Sequence, residues 1–190
     1  MPTTRSIDIQ PVSFKLKKPF VTAGGQKTET HNVQITLTLD DGTRGLSEAS
    51  SSIAMPGESK ENMIAAIRSL VPELRGKPIE NYRELVATTW RLQSFHPTAA
   101  SAMECAILDA YTRILKQPLA KFLGGKTTSV ETDLTLSVDS PKTVYKLAKD
   151  ASKKGFHHLK VKLTGTDPVE DLERMQAAHK GAPHAVLVAD

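Results

Sequence analysis

The sequence predicts an α+β domain of antiparallel strands and packed helices over residues 1–125. Over 126–190 it predicts the first strands and helices of a (β/α)8 (TIM-like) barrel. Three observations carry this reading. Up to about residue 49 the chain alternates apolar and polar residues at a period of two, broken by turn residues. From 60 to 123 apolar residues recur instead at helical spacing. Beyond Val130, strand, helix, strand, helix and strand follow one another, with strands about 26 residues apart, the rhythm of parallel βαβ units.

Each element has its own signal. Ser6–Leu16 alternates loosely, and the following Lys18-Pro19-Phe20-Val21-Thr22-Ala23-Gly24-Gly25 reads as a loop. Asn32–Leu39 alternates through Val33, Ile35, Leu37 and Leu39 and ends at the turn Asp40-Asp41-Gly42. Arg44–Ala49 completes a small sheet. Met63, Ile64, Ile67, Leu70, Val71 and Leu74 form a helical stripe that stops at Gly76. Tyr82, Leu85, Val86 and Trp90 form a second stripe. A third helix runs from about Pro97 to Leu115, its alanine-rich side suited to close helix packing. Within it Cys105, the single cysteine, is expected to be a small core residue. A short helix around Leu119–Leu123 ends at Gly124-Gly125.

Val130–Val138 reads as a strand, with Val130, Thr132, Leu134, Leu136 and Val138 on one face and Glu131, Asp133, Thr135 and Ser137 on the other. Ser140-Pro141 is a helix start, N-cap then first-turn proline, and Gly155 closes that helix. The next strand carries Lys160-Val161-Lys162. Both lysines leave on one face, about 7 Å apart at about 3.3 Å of rise per residue. Side by side, two ammonium groups lower each other's proton affinity, the condition under which a lysine serves as a base near neutral pH. His157-His158 in the same strand shows no ligand pattern. Asp167-Pro168-Val169-Glu170 starts another helix, with Asp167 as cap and Glu170 placed to reach back. The apolar run Ala185–Ala189 ends at Asp190.

A doubly wound sheet would bury both faces of these strands under helices and leave Lys160 and Lys162 badly placed, so the barrel fits better. About 65 residues follow Gly125, whereas such a barrel needs about 250 in its usual form. The chain is therefore expected to be the N-terminal portion of a longer protein, truncated after the third barrel strand.

Composition narrows the function. A net charge of +4 and a pI near 9.1 permit an anionic ligand. The basic residues are scattered and not interleaved with aromatics, which argues against nucleic acid as a partner. One cysteine excludes a disulfide framework and a thiolate metal cluster. No apolar run has the form of a signal peptide or the length of a membrane span, so no membrane partner and a cytoplasmic location are expected.

On these residues the sequence resembles the enolase superfamily, in its muconate-lactonizing subgroup. Within that subgroup it looks most like the dipeptide epimerases, the group that includes the L-Ala-D/L-Glu epimerases. The strings that carry the resemblance are KPFVTAGG (18–25), DDGTRGLSEA (40–49), LAKFLGG (119–125), ETDLTLSVDSP (131–141) and GFHHLKVKLTGTDPVEDLERM (155–175). The resemblance implies a capping domain on a modified (β/α)8 barrel, with the active site at the carboxyl ends of the strands under two cap loops. It implies that Lys162 abstracts a proton alpha to a carboxylate, and that Lys160 assists and stabilises the enolate. Thr135 is implied to contact substrate. Asp190 is implied to be the first of three carboxylates that hold Mg²⁺, and the full-length protein a homo-oligomer.

General chemistry agrees with these roles: loss of that proton puts a second negative charge on the substrate, which cations stabilise, and Mg²⁺ favours oxygen ligands. The resemblance also implies a small-molecule substrate, a dipeptide or related carboxylate. Relatives selective for an acidic second residue carry an arginine in the first cap loop. That position falls here on Gly25, with Lys27 two residues on, which points to another dipeptide. The loop Ser51–Ser59 matches the second cap loop. Alternatives are a cycloisomerase, o-succinylbenzoate synthase or N-acylamino acid racemase of the same superfamily, or a non-catalytic fragment. The remaining metal carboxylates and an opposing lysine are expected beyond Asp190, and the 190 residues alone are expected to be inactive.

Overall fold

The computed structural model describes residues 1–52, 54–55 and 57–190. The chain forms two compact units, Met1–Lys15 with Glu29–Lys126, and Leu16–Thr28 with Thr127–Asp190.

The first unit is built on a sheet of β1 (Thr4–Thr22), β2 (Gly25–Leu39) and β3 (Arg44–Ser50), in the order β1-β2-β3, whose β1–β2 tip, Leu16–Thr28, belongs to the second unit. β2 and β3 are antiparallel, with Val33 opposite Ala49 and Leu37 opposite Gly45. The alternation read in the sequence is the burial pattern: Val33, Leu37 and Leu39 are fully buried and Ile35 nearly so. At the β2–β3 turn Gly42 adopts a φ of +88°, and its N–H donates to the Leu39 carbonyl.

The expected loop over 18–25 is a correction. β1 runs on through Thr22, and the turn is only Ala23-Gly24. Pro19 was the misleading signal. Its missing N–H is tolerated because β1 is the edge strand of its sheet.

Three helices cover the buried face: α1 (Lys60–Leu74), α2 (Tyr82–Leu92) and α3 (Pro97–Ile114). Ser59 caps α1 by accepting from the Asn62 N–H, and Gly76 at φ +73° ends it. Met63, Ile67, Leu70 and Leu74 of α1 meet Met103 and Ile107 of α3 in one core. A short helix, α4 (Leu119–Phe122), brings Phe122 edge-on to the stacked pair Tyr82 and Tyr111.

α3 lies directly on β3 because Gly45 has no side chain. A Cβ there would stand 2.1 Å from the Ala106 carbonyl oxygen. Cys105 is a second correction: it is exposed rather than a core residue. The buried stripe is Ala99, Ala102, Met103, Ala106, Ile107 and Ala110, and at 100° per residue position 105 falls off it. Trp90 likewise is 38% exposed and donates its indole N–H to Glu104, while Thr89 takes the buried position beside it.

The second unit carries β4 (Leu134–Leu136), α5 (Pro141–Lys153), β5 (His158–Val161), α6 (Pro168–Gly181) and β6 (Val186–Ala189). The strands are parallel in the order β4-β5-β6. The predicted architecture, an antiparallel α+β domain followed by parallel βαβαβ, is therefore present. Leu136, Leu159 and Val161 face Val144, Ala148, Ala151 and Ala178 of the helices in a second core. Ser140 caps α5 by accepting from the Thr143 N–H, and Asp167 caps α6 by accepting from Val169 and Glu170.

Two expectations change in this unit. β4 spans three residues rather than Val130–Val138, and Val130 is 85% exposed. The sheet pairs only Leu134–Leu136 with β5, so residues before it have no ladder to join. Glu170 does not serve as a capping-box partner; its carboxylate is 2.9 Å from the Arg174 guanidinium, one turn on. Among the described residues no helix is long and apolar enough to cross a membrane.

Candidate active site

The site residues are ordered by sheet register. Thr135 pairs with Lys160 and Lys160 with Val188, while Leu136, Val161 and Ala189 align one step further. Parallel strands in register place aligned side chains on one face. Thr135 and Lys160 therefore share a face, opposite to Leu159 and Val161, which are fully buried against the helices.

The backbone pairing continues past the strand ends. The Lys162 N–H donates to the Leu136 carbonyl at 2.9 Å, Asp190 to Val161 at 3.0 Å, and Leu163 to Asp190 at 2.8 Å. Lys162 and Asp190 thus leave together at the carboxyl ends of β5 and β6, on the face that carries Lys160. Lys162 itself lies one residue beyond β5.

The three side chains meet. Asp190 Oδ2 lies 2.5 Å from Lys162 Nζ and 3.2 Å from Lys160 Nζ. The Lys162 side chain is 22% exposed; those of Lys160 and Asp190 are both 36% exposed. Hydrogen bonds from Lys162 first, and Lys160 second, hold the Asp190 carboxyl below the ordinary carboxylate range against an opposing effect of desolvation. The lysine pair is therefore not the bare like-charge pair expected from its spacing, because a carboxylate between the ammonium groups offsets their repulsion.

Thr135 stands beside this cluster in register with Lys160. It lines a groove of about 540 Å³ shared with Lys18, Val21 and Gln26 of the hairpin tip and with Ser137 and Asp150. Within this unit the Val138 N–H donates to the Val21 carbonyl of the tip at 3.1 Å. Gly25, at the start of β2, has φ +140°, a conformation that side-chain-bearing residues rarely adopt. In the same unit His158 Nδ1 is 3.4 Å from Glu131 Oε2.

Of the expected second cap loop Ser51–Ser59, Ile53 and Pro56 lie outside the described residues. Within the rest, Ser52 bridges to Met55, and Glu58 is buried with an oxygen 3.4 Å from His96 Nδ1.

The loop after Lys162 and the loop after β4 are held by two residues the sequence did not single out. Asp171 accepts from the Thr164 N–H at 2.9 Å and the Gly165 N–H at 2.8 Å. Arg174 donates through Nη1 to Asp171 at 2.6 Å and through Nε to the Asp139 carbonyl at 2.9 Å. Both are nearly buried. In the sequence they are two charges on an amphipathic helix, and such charges normally mark a solvated face. The i,i+3 spacing was the one available signal.

Magnesium fits these residues in kind but not in number. Asp190 offers an oxygen donor at a strand end, as Mg²⁺ requires. Among the described residues no group of three histidines, cysteines or carboxylates could hold a metal ion, and the Asp190 carboxylate is already shared by two ammonium groups.

An antiparallel sheet covered by helices, then parallel βαβαβ with two lysines and an aspartate at the strand ends, is also the order of elements the resemblance to the enolase superfamily implied. The Mandelate racemase / muconate lactonizing enzyme N-terminal domain model matches residues 4–124, and the chain belongs to that family. It is 35% identical to the aromatic dipeptide epimerase of Herpetosiphon aurantiacus, an alignment covering 100% of this chain and 54% of that protein. It is 31% identical to the L-Ala-D/L-Glu epimerase of Thermotoga maritima, covering 93% of this chain and 51% of that one. Its fold matches the dipeptide epimerase of Enterococcus faecalis complexed with Mg and the dipeptide L-Leu-L-Tyr. That match has a TM-score of 0.93 at 25% identity, over 99% of this chain and 53% of the other. The chain spans about half the length of the curated relatives it matches.

Proposed function

We propose that the whole protein is a Mg²⁺-dependent dipeptide epimerase to which residues 1–125 contribute a capping domain and residues 126–190 the opening strands and helices of the barrel. The observation that supports this best is the convergence of Lys160, Lys162 and Asp190 at the carboxyl ends of adjacent parallel strands. In this reading Lys162 Nζ takes the proton alpha to the substrate carboxylate. Lys160 faces that carboxylate and stabilises the enediolate charge as it forms, the role for which fixed cations in a partly desolvated site are suited. Thr135, in line with Lys160, contacts the substrate. Asp190 would offer one oxygen ligand to a magnesium ion completed by residues outside these 190, and the ion would supply further positive charge to the developing enediolate.

The substrate class follows from the hairpin tip. An arginine at position 25 would be strained at φ +140°, and Val21 of the tip lines the groove that Thr135 shares. The similarity to an epimerase of aromatic dipeptides points the same way. We therefore assign a dipeptide whose second residue is not acidic. The setting in this reading is cytoplasmic and the assembly homo-oligomeric.

The test is solvent deuterium uptake by the full-length protein, with magnesium, on a panel of aromatic, aliphatic and acidic dipeptides of both configurations. Uptake into aromatic or aliphatic dipeptides, abolished for one configuration by Lys162→Ala, is the expected result. Uptake that persists for both configurations in the variant removes Lys162 from its role. Absence of uptake across the panel in the unaltered protein overturns the function.

A further inference from the structure

We propose that Asp171 and Arg174 are positioning residues that set the place of the Lys162 ammonium group by clamping the loops after β4 and β5 to helix α6. This deepens the epimerase reading and rests on it.

The clamp is built from the loops inward. β5 ends at Val161, and the chain then passes through Lys162, Leu163, Thr164 and Gly165 before α6 begins at Pro168. Past the Leu163 N–H, which bonds Asp190, sheet pairing ends and the loop must be held by side chains. Asp171 supplies that hold. Its two oxygens take the consecutive N–H groups of Thr164 and Gly165, and both lie within 3.3 Å of the Thr164 hydroxyl. Gly165 turns at φ +71°, where a glycine is suited, so both donors point at one carboxylate.

Arg174 joins this loop to the preceding one. Its guanidinium is planar, and its donors leave in fixed directions. Nη1 meets Asp171, while Nε meets the carbonyl of Asp139, the residue before the Ser140 cap of α5. One side chain therefore ties the loop two residues after Lys162 to the loop two residues after Ser137. Arg174 is 4% exposed and Asp171 7% exposed. Burying such a pair costs desolvation that a hydrophobic contact would avoid. Its geometry accounts for the cost: it fixes two backbones in relation to each other just where Lys162 is presented.

A lysine that removes an alpha proton must sit within hydrogen-bond reach of that carbon. Releasing the loop frees the backbone from Thr164 onward and leaves Lys162 at the unsupported end of the ladder, its backbone held only by its own N–H to Leu136 and the Leu163 N–H to Asp190. Lys160, inside the β5 ladder, stays held. The consequence is specific to one face of the substrate.

The experiment uses the full-length protein with Asp171→Asn and Arg174→Lys, and follows deuterium uptake separately for the two configurations of one dipeptide. Arg174→Lys keeps the charge but cannot donate to Asp171 and Asp139 in the same fixed directions, so it is not expected to rescue. Both variants should lose about tenfold to hundredfold in uptake for the isomer that depends on Lys162, with the other isomer within about threefold of the unaltered protein. Equal loss for both isomers, as from general destabilisation, overturns the proposal, and so does unchanged uptake. If Asp171→Asn does not fold, Arg174→Lys carries the same test. Amide hydrogen exchange at Thr164 and Gly165, measured in parallel, should be at least about tenfold faster in the variants. Unchanged exchange also overturns the clamp. If the unaltered protein takes up no deuterium in either isomer, the epimerase reading fails and with it the catalytic half of this one, while the amide measurement still decides whether the clamp exists.

Discussion

Gly45→Ala isolates one contact on which the first unit depends. The added methyl would lie 2.1 Å from the Ala106 carbonyl oxygen, 2.7 Å from the Ala110 N and 2.7 Å from the Ala110 Cβ. Two of these atoms are helix backbone, joined to each other across one turn of α3, so no rotamer change relieves the clash. Either α3 withdraws from β3 by about 1 Å or the strand bends away, and the core beneath is packed at crystal-like density. Forcing a methylene into such a site costs about 1–3 kcal/mol, and the rigidity of this one places it at the upper end, about 3 kcal/mol. A substitution of glycine by alanine in an open strand would instead stabilise by roughly 0.5–1 kcal/mol.

Urea unfolding followed by far-ultraviolet circular dichroism and by Trp90 fluorescence reads the difference. With a urea dependence of about 1.5 kcal/mol per molar for a domain of this size, the midpoint should fall by about 2 M. Adding Ala110→Gly should not restore it, because the Ala106 carbonyl remains in the way. A midpoint shift under about 0.3 M, or a rise, would refute the reasoning that close α3–β3 contact excludes a side chain at 45.

Two further predictions concern titration. Asp190 is held below its ordinary value of 3.8 by hydrogen bonds from Lys162 and then Lys160. Its folded value is thus lower than its unfolded one, so its ion pairs contribute stability above the unfolded value and lose it as pH falls through the folded one. A carbon-13 carboxyl titration should find the Asp190 midpoint below 3.8, and Lys162→Met should move it upward; an unmoved midpoint would show that Lys162 is not its main partner. Cys105 is exposed, and partial burial, followed by the Glu104 charge, raises its thiol above the ordinary 9.0. It should react completely with a disulfide reagent in the folded state, at a rate still rising above pH 9.0. A plateau below that pH, or protection from the reagent, would contradict the structure.

The sequence by itself determined the order and kind of the elements and the face of each that is buried. Alternation through Val33, Ile35, Leu37 and Leu39 and the helical stripe from Met63 to Leu74 are local periodicities, and burial followed them. The caps Ser140 and Asp167 and the helix-ending turns at Gly76 and Gly155 were also legible, since a cap is a contact between residues two or three apart. Lys160 and Lys162 on one face followed from strand period alone.

Tertiary structure decided whatever depended on a partner distant in sequence. Whether residues 18–22 extend β1 depended on their pairing with β2 at the edge of the sheet, which Pro19 could not reveal. The length of β4 depended on where β5 stops pairing with it. Cys105 has apolar neighbours in sequence, and only the rotation of α3 on the sheet turns it outward. That Asp190 joins the two lysines required the register of β5 against β6, which no local pattern encodes. Asp171 and Arg174 were hidden for the same reason. A buried charge and a solvated charge look alike in sequence, and only the loops folded over α6 distinguish them.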